Sequence, residues 1–297
     1  MKILNFGALN IDYVYSVDHI VQKGETLSSE ALAIFPGGKG LNQSVALGRA
    51  GAPVWHAGAI GEDGRFLLTL LQEAGVHTDH VRTLTQVRSG NAIIQRDRSG
   101  DNCILLYGGA NRAITREQVE ETLSSFGAGD WLVLQNEING NEWIWEEAKR
   151  RGMKIFLNPS PADERLRRLP VEQADYLLLN EVEAAQLLGE DKQADWGTAM
   201  AGRLRKRFPQ AEIVLTLGGE GAAYSGREGE YRQAAYRTPV VDTTAAGDTF
   251  TGYLLASLWR GLPMEESLRI ASRAAAIAVS REGAASSIPQ WAEVTEE

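Results

Sequence analysis

The chain has 297 residues, of which 43% are hydrophobic and 23% charged, and its formal net charge is −9. This composition is typical of a globular protein with a substantial core, and the acidic balance argues against a general nucleic-acid binder. The single cysteine, Cys103, excludes a disulfide framework and a cysteine metal cluster. No apolar run reaches the roughly 20 residues of a membrane-spanning helix. The first apolar run is soon broken by Asn10 and Asp12, which is unlike a signal peptide, so we expect a cytoplasmic protein.

Apolar runs alternate with helical patterns along most of the chain. Strands are predicted in the opening run KILNFGAL and over 130–137, 153–160, 174–181 and 211–219, and helices over 115–126 and 141–152. This order predicts an α/β fold, a doubly wound and mostly parallel sheet with helices on both faces. Ligands of such folds bind beyond the carboxyl ends of the strands. The predicted strands end in polar residues, namely Asn10, Asp12, Glu137, Asn158, Asn180 and Thr216.

Two segments, at about 12–38 and 89–111, show strand-like alternation with little helical pattern. The second reads as a hairpin that turns near RDRSGDN. We expect these segments to form a small β-strand lid within a single domain that spans 1–297. The exposed edges of such a lid need cover, and a second copy of the chain would supply it, so we expect a homodimer through the lid strands.

The stretch FPGGKGLNQSVALGRAGA (35–52) combines adjacent glycines with a following helical pattern. The glycines would let the backbone approach a ligand closely, and Lys39 and Asn42 could donate hydrogen bonds into a pocket. The alternative is an ordinary glycine turn before a helix. The spacing matches neither a P-loop nor the dinucleotide fingerprint.

The stretch AAGDTF begins with small residues and then has an acid. Ala245, Ala246 and Gly247 could turn the backbone so that successive N–H groups converge, and a helix beginning near Asp248 would add the positive end of its dipole. Together these features would form an anion cradle. The carboxylate beside it could accept a proton from an attacking hydroxyl. Asp is also a favoured N-cap, and this segment alone favours the cap.

Two further motifs each have two interpretations. Asn180 and Glu183 have the spacing of a capping box, but they could also serve a nucleotide and the outer shell of Mg²⁺. The glycine turn after Thr216 could hold nucleotide phosphates or simply join two strands. We interpret His77 and His80 as part of a connecting turn rather than a metal pair, since no further ligand accompanies them.

Taken together, these motifs resemble the ribokinase-like (PfkB) family of carbohydrate kinases over nearly the whole chain. The matching stretches are NID (10–12), GGKGLNQ (37–43), GGAN (108–111), NPSPA (158–162), NEVE (180–183), TLGGEG (216–221) and DTTAAGDTFTG (242–252). The resemblance implies ATP-dependent phosphorylation of a sugar primary hydroxyl with Mg²⁺, and ribose to ribose 5-phosphate as the expected reaction. The expected partners are thus a sugar and ATP, with no nucleic acid and no membrane.

The resemblance also implies roles for individual residues. Asp248 matches the general base, and the anion hole matches Ala245, Ala246 and Gly247. The sugar contacts match Asn10, Asp12, Gly38, Lys39, Asn42 and Glu137. The nucleotide contacts match Asn180, Thr216, Gly218, Gly219, Gly221 and Gly247, and Glu183 matches the acid that holds Mg²⁺ through water.

Members of this family also bind an activating K⁺ ion. The matching positions are Asp242, Thr244, Ala278, Arg281, Gly283 and Ser287. One departure concerns Asn91, where an apolar residue is typical, and an inward-facing Asn91 would add a polar group to the sugar pocket and alter its specificity. The alternatives are a nucleoside kinase or a kinase for another sugar on the same fold, and a non-catalytic sugar-binding regulatory protein.

Overall fold

The computed structural model describes residues 1–190 and 198–296. The strands are β1 (Ile3–Phe6), β2 (Asn10–Ser16), β3 (Ala31–Gly37), β4 (Val54–Gly61), β5 (His77–Leu84), β6 (Gly90–Arg96), β7 (Asn102–Tyr107), β8 (Trp131–Gln135), β9 (Lys154–Asn158), β10 (Tyr176–Asn180), β11 (Glu212–Thr216), β12 (Ala222–Gly226) and β13 (Gly229–Gln233). The helices are α1 (Lys39–Arg49), α2 (Arg65–Glu73), α3 (Arg116–Leu123), α4 (Asn141–Arg150), α5 (Glu181–Leu188), α6 (Thr198–Arg207), α7 (Ala246–Trp259), α8 (Met264–Val279) and α9 (Trp291–Thr295).

Nine strands form the central sheet, in the order β13-β12-β11-β10-β9-β8-β1-β4-β5. Every neighbouring pair from β11 to β5 is parallel, whereas β12 and β13 pair antiparallel at one edge. Strands β4 and β5, which come first in the chain, lie on one side of β1. The later strands β8 to β11 lie on its other side. The strand order therefore reverses between β1 and β8, the kind of point where doubly wound sheets bind ligands. The predicted α/β fold class is confirmed.

Helices cover both faces of this sheet because successive strand side chains point to opposite sides. Leu4 and Phe6 of β1 pack in one core cluster with α3, α4, α5 and α6, while Ile3 packs in the other with α1, α2, α7 and α8. Helices α1 and α7 approach closely, since a Cβ at Gly252 would lie 2.3 Å from the Cβ of Ala46. This close approach brings the first turns of the two helices together.

The lid is a separate four-stranded sheet in the order β3-β2-β6-β7. Strand β2 pairs antiparallel with β3 and parallel with β6, and β6 and β7 form an antiparallel hairpin across 97–101. The expectation of strands in both lid segments, and of the hairpin in the second, is confirmed.

The segment around His77 and His80 was expected to be a connecting turn, and this was wrong. It forms β5, an edge strand parallel to β4, in which the imidazole of His77 stacks on Trp55 at 4.4 Å between ring centroids. Over 1–190 and 198–296, no group of three or more His, Cys, Asp or Glu side chains could hold a metal ion. Within the same residues, no helix has the length and apolar character to cross a membrane.

Candidate active site

A cavity of about 220 Å³ opens beyond the carboxyl ends of β9, β10 and β11, next to the first turns of three helices. The start of α7 contributes four consecutive residues to it, 245–248. Lys39 at the start of α1, Glu183 in the first turn of α5, and Thr216 at the end of β11 line the same cavity. Motifs that lie far apart in the sequence thus meet in one place.

The Asp248 carboxylate faces α1 rather than the end of its own helix. Asp248 lies in the first turn of α7, is 8% exposed, and gives that helix no side-chain cap. Its Oδ2 accepts a hydrogen bond from Nδ2 of Asn42 at 3.0 Å, and its Oδ1 accepts one from Nε2 of Gln43 at 2.9 Å. The interpretation of Asp248 as an N-cap is therefore wrong, since both carboxylate oxygens are held by another helix.

The backbone before Asp248 is shaped to receive an anion. Ala245 has a φ of 60°, the only non-glycine residue with a positive φ in the described part of the chain, and α7 begins directly after it. The first N–H groups of a helix have no intrahelical partners, and they lie at its positive end. A Cβ at Gly247 would meet no atom within 4 Å, so the space beside this turn is open. The N–H of Ala246 makes a long hydrogen bond of 3.3 Å to the backbone oxygen of Thr243. The geometry fits the predicted cradle at Ala245, Ala246 and Gly247.

Asn10 and Asp12 extend from the lid strand β2 on one face, as alternate residues do. A Cβ at Gly37 would lie 2.1 Å from the Asp12 carboxylate, so glycine is needed there to make room for it. Burial raises the pKa of Asp12 to about 6. The Oδ1 of Asn10 accepts a hydrogen bond from Nδ2 of Asn111 at 2.7 Å, which leaves the Asn10 amide N–H groups to donate to a ligand.

Glu137 and Lys39 join the sugar end of the site to the cavity. The backbone N–H of Lys39 donates to Oε2 of Glu137 at 2.8 Å. Burial raises the pKa of Glu137. Burial lowers the pKa of Lys39, but the carboxylates of Asp248, Glu137 and Glu183 outweigh it and raise that pKa overall. Lys39 therefore stays charged among three acids.

Gly38 and Asn42 complete the predicted sugar contacts. Gly38 has a φ of 95°, and a Cβ there would lie 2.9 Å from the backbone oxygen of Ala8, so the turn before α1 requires glycine. Asn42 is 5% exposed, and its Oδ1 has no hydrogen-bond partner among the described residues. A buried amide oxygen without a partner is destabilising, so a ligand hydroxyl would find an acceptor there.

Asn91 does not join this group. Asp12 pairs with Ala92, whereas Asn91 pairs with Ile11, so Asn91 lies on the opposite face of the lid from the Asp12 side chain. Its Nδ2 donates to the backbone oxygen of Ser89 at 3.3 Å. The expectation that Asn91 adds a polar group to the sugar pocket is therefore wrong, because a shift of one position along a strand changes the face.

Asn180 and Glu183 form the capping box that their spacing predicted. Glu183 N–H donates to Oδ1 of Asn180, and Asn180 N–H donates to Oε2 of Glu183, both at 3.0 Å. Both residues also line the cavity, and Glu183 is buried. The structural and the functional interpretations are thus compatible, since the cap uses one carboxylate oxygen and orients the other.

The glycine turn after Thr216 lies outside this cavity. Gly218 and Gly221 have positive φ values of 53° and 105°, and a Cβ at Gly221 would lie 2.0 Å from the backbone oxygen of Gln233. Gly218 and Gly219 have open space where a Cβ would stand. A flat ligand could therefore lie against them, while Thr216 alone of this motif lines the cavity.

The positions expected to hold K⁺ lie on two segments that pack together. The N–H groups of Val241 and Asp242 both donate to the backbone oxygen of Val279, at 2.8 and 3.2 Å. Asp242 accepts hydrogen bonds from the N–H and the hydroxyl of Thr244 and from the N–H of Gly283. Although burial raises the pKa of Asp242, these hydrogen bonds lower it overall.

The other expected K⁺ positions follow along the second segment, at Ala278, Arg281 and Ser287. The Arg281 side chain pairs with Glu293 at 2.5 Å, so its backbone oxygen is the group that could face an ion. One ionised carboxylate with several backbone oxygens is a hard-oxygen donor set that suits a monovalent cation. Glu183 is an oxygen donor of the kind that Mg²⁺ prefers, directly or through water.

Two side chains near the site were not predicted to have roles. Gln43 directly contacts Asp248, and Asn111 fixes the Asn10 amide. Gln43 is the last residue of the motif GGKGLNQ, and Asn111 is the last residue of GGAN. The sequence contained one usable signal, since Gln43 is a polar residue on the helix face that the apolar pattern predicts to be buried.

Comparisons with known proteins agree with this geometry. A family model described as pfkB family carbohydrate kinase matches residues 1–291. Ribokinase from Haemophilus influenzae is 35% identical over 299 residues, which cover 98% of this chain and 96% of that protein. The structure of ribokinase from Cryptococcus neoformans var. grubii serotype A in complex with ADP has a TM-score of 0.87 at 31% identity, covering 99% of both chains.

The structure of Arabidopsis thaliana ribokinase complexed with ribose and ATP has a TM-score of 0.84 at 28% identity, covering 99% of this chain and 97% of that one. The chain is an ATP-dependent carbohydrate kinase, and it belongs to the pfkB family of carbohydrate kinases.

Proposed function

We propose that this kinase transfers the γ-phosphoryl group of ATP to the primary hydroxyl of ribose and forms ribose 5-phosphate. The observation that carries the proposal is the position of Asp248, buried and held at both oxygens between the helix-start cradle and the sugar end of the site. The names of the relatives support ribose as the sugar. On this account the sugar hydroxyls are held by Asn10, Asp12, Gly38, Lys39, Asn42 and Glu137.

The transfer follows from the chemistry of these groups. Asp248 accepts the proton of the primary hydroxyl as its oxygen bonds to the γ-phosphorus, and the bond from that phosphorus to the β,γ-bridging oxygen breaks to release ADP. The N–H groups at 245–247 face the oxygens of the transferring group, where negative charge is spread in the transition state. Lys39, kept charged by its acidic neighbours, adds a positive charge beside them.

We also propose a role for two kinds of metal ion. Mg²⁺ on the nucleotide would neutralise phosphate charge, and Glu183 would hold it through water. A K⁺ ion at Asp242 would keep Ala245 in its left-handed conformation without touching substrate. Both ions fit the oxygen donors present, the Glu183 carboxylate for Mg²⁺ and the Asp242 carboxylate for K⁺.

A substrate panel tests the proposed function. Ribose, 2-deoxyribose, ribulose, fructose, glucose, adenosine and inosine are each offered with ATP, Mg²⁺ and K⁺, and the products are ranked by kcat/KM. We expect ribose to rank first, with the phosphate located on the terminal oxygen by ³¹P NMR. A nucleoside or another sugar in first place would replace ribose in the proposal, and no transfer to any acceptor would favour a sugar-binding protein without activity.

Potassium dependence is a separate prediction. At constant ionic strength, we expect kcat to be higher in K⁺ than in Na⁺ or tetramethylammonium, because only an ion of suitable size orders the Asp242 segment. Asp242→Asn should lower the activity in K⁺ toward the level without it. Equal rates in the three salts would contradict the proposed K⁺ site.

We further propose that the chain forms a homodimer through the lid. Several large apolar side chains of the lid strands are exposed, among them Leu105 and Leu106 at 67% each. An exposed apolar sheet with free edges normally has a partner. The cytoplasmic location stays a prediction from the sequence.

A further inference from the structure

Beneath the active site, five polar side chains lie in the core with no exposed surface: Asn5, Gln43, Ser44, His56 and Gln135. None of them lines the cavity that ends in the cradle. Burying polar groups is unfavourable unless they are hydrogen-bonded, and apolar side chains of similar size would often fill such positions at no loss of stability. Their presence at the centre of the fold therefore calls for a reason other than packing.

The first branch of this network leads to the base. Gln135, at the end of β8, donates from Nε2 to Oε1 of Gln43 at 2.7 Å. Gln43 in turn donates from Nε2 to Oδ1 of Asp248 at 2.9 Å and to Oδ1 of Asn158 at 3.2 Å. Because a carboxylate only accepts, the Gln43 amide must turn its nitrogen to Asp248 and its oxygen to Gln135.

The second branch fixes Gln135 from behind. The Nε2 of Gln135 also donates to Oδ1 of Asn5 at 2.9 Å, and Nδ2 of Asn5 donates to the hydroxyl of Ser44 at 2.8 Å. The Ser44 hydroxyl lies 2.8 Å from Nδ1 of His56, whose Nε2 lies 3.2 Å from the backbone oxygen of Gly7.

The protons of this branch can be assigned. The carbonyl of Gly7 only accepts, so Nε2 of His56 carries a proton. Burial lowers the pKa of His56 to about 4, so the imidazole is neutral and its Nδ1 accepts from the Ser44 hydroxyl. The Nε2 of Gln135 faces two amide oxygens, those of Gln43 and Asn5, so Asn5 and Gln135 have one favourable amide orientation each. The Oε1 of Gln135 has no partner among the described residues. The network thus has one arrangement from Gly7 to Asp248.

We propose that Gln43 is a positioning residue for the general base, and that the buried network from His56 to Gln135 holds its amide in the orientation that Asp248 requires. This inference rests on the proposed role of Asp248 as the base. Asn42 holds one oxygen of that carboxylate, and Gln43 holds the other. With only one oxygen held, the carboxylate could turn away from the sugar hydroxyl, and small misplacements of reacting groups slow a reaction strongly.

Matched glutamine-to-methionine substitutions test the proposal. Gln43→Met and Gln135→Met keep the side-chain length but remove the amide. Gln118→Met is the control, because Gln118 is also buried, at 2% exposed, and donates to the backbone oxygen of Gly58 at 2.7 Å without a bond to Asp248 or Gln43. Thermal unfolding of each variant, and ribose and ATP kinetics with Mg²⁺ and K⁺, are measured in parallel.

We expect Gln43→Met to lower kcat roughly 10- to 100-fold, the loss typical of one hydrogen bond to a charged group, with the KM values for ribose and ATP within about threefold of wild type. Gln135→Met should lower kcat less, since Gln43 keeps its contact with Asp248. Gln118→Met should keep the wild-type kcat. In an Asp248→Asn background, Gln43→Met should cause little further loss, because residues that act as one unit are not additive.

Several results would overturn the inference. These are a Gln43→Met enzyme with a kcat within about twofold of wild type, an equal loss in Gln118→Met, or a full additional loss on top of Asp248→Asn. If either Gln43→Met or Gln135→Met fails to fold, the kcat of the other variant, compared with wild type and with Gln118→Met, decides alone. If Asp248→Asn itself is as active as wild type, then the base assignment of the proposed function fails, which is a distinct outcome from the first three.

Discussion

At the scale of single residues, Lys39 and its acidic neighbours set the charge of the site. Asp248, Glu137 and Glu183 each favour the ammonium form of Lys39, which burial alone would disfavour. In the proposed reaction, this cation lies where a sugar hydroxyl would meet a phosphate. The arrangement thus places one positive charge among three acids, of which Asp248 and Glu183 are buried.

Asp12 provides a pH-dependent prediction. Its carboxyl has an ordinary pKa of 3.8 in the unfolded chain and about 6 in the folded protein, because burial disfavours the charge. Between these values the folded state binds more protons, so the Asp12 contribution to the free energy of unfolding falls as pH rises from about 4 to about 6 and stays low above. Asp12→Asn should therefore stabilise the ligand-free protein more at pH 8 than at pH 5.

We expect the extra stabilisation at pH 8 to be on the order of 1 kcal/mol, since partial solvent exposure reduces the effect. Urea unfolding of both proteins at both pH values measures it, and Asp101→Asn in the exposed turn of the lid hairpin serves as the control. Asp12→Asn should also bind sugar more weakly than the wild-type protein. An equal stability difference at pH 5 and pH 8 would show that Asp12 has no shifted titration.

Short motifs in the sequence predicted roles for Asp248, Lys39 and Glu183, and the structure places all three around one cavity. It did not identify the face of Asn91, because two adjacent strand positions have opposite faces and the lid pattern does not define the register. It also missed Gln43, since its partner Gln135, and Asn5 behind Gln135, are distant in sequence and stand in runs that read as ordinary apolar strands.

At the scale of elements, the start of α7 depends on its packing against α1. Gly252 allows the two helices to approach at Ala46, and the contact places Asn42 and Gln43 within hydrogen-bond distance of Asp248. The left-handed Ala245 then turns the chain into the helix, a conformation that disfavours residues with a Cβ. Helix packing and backbone strain together determine where the open N–H groups lie.

Gly247→Ala is expected to lower kcat without lowering the melting temperature. Alanine in place of glycine within a helix usually stabilises by about 0.5–1 kcal/mol, so the melting temperature should stay constant or rise. The added methyl group would project into the open space of the cradle, and kcat should fall roughly 100-fold, as expected when a reacting group is displaced by about 1 Å. Gly261→Ala is a poor control because of its positive φ, whereas Gly127→Ala also has open space and lies outside the site.

Thermal unfolding and steady-state kinetics of Gly247→Ala and of the control Gly127→Ala test this prediction. A Gly247→Ala enzyme with the wild-type kcat would show that the phosphoryl group does not occupy this cradle. A large loss of stability would instead show that the first turn of α7 needs glycine for its own conformation.

The order of strands and helices could be predicted because buried parallel strands form continuous apolar runs. The exceptions have physical reasons. Strand β5 reads HTDHVRTL, which is too polar for a buried strand, and it lies at the sheet edge with one side open. Helix α7 begins two residues before Asp248, because Ala246 and Gly247 carry no capping signal that would mark the boundary.

At the scale of the whole molecule, the lid is the part that exposes many large apolar side chains. Strand β7 is exposed along its full length, and it is an edge strand of the four-stranded sheet. Asp12, a predicted sugar contact, extends from the same sheet. Anything that covers the lid would therefore also constrain one wall of the proposed sugar site.

We expect the protein to be a dimer in solution, and Leu105→Glu combined with Ile34→Glu to shift it to a monomer, because both exposed side chains lie on the lid face opposite Asp12, where added charge opposes burial. Sedimentation velocity measures the change. Phe66→Glu on α2 is the matched control, as Phe66 is also exposed but lies outside the lid. A wild-type monomer, or a double variant that remains dimeric, would contradict a lid interface.

The central claim is that Asp248 is the proton acceptor in phosphoryl transfer to ribose. Its most direct test compares the wild-type enzyme with Asp248→Asn, measuring kcat with ribose, ATP, Mg²⁺ and K⁺, and ribose affinity by calorimetry. The account predicts a fall in kcat of about 10²–10⁴-fold with ribose affinity nearly unchanged. An Asp248→Asn enzyme that turns over ribose at the wild-type rate would contradict it.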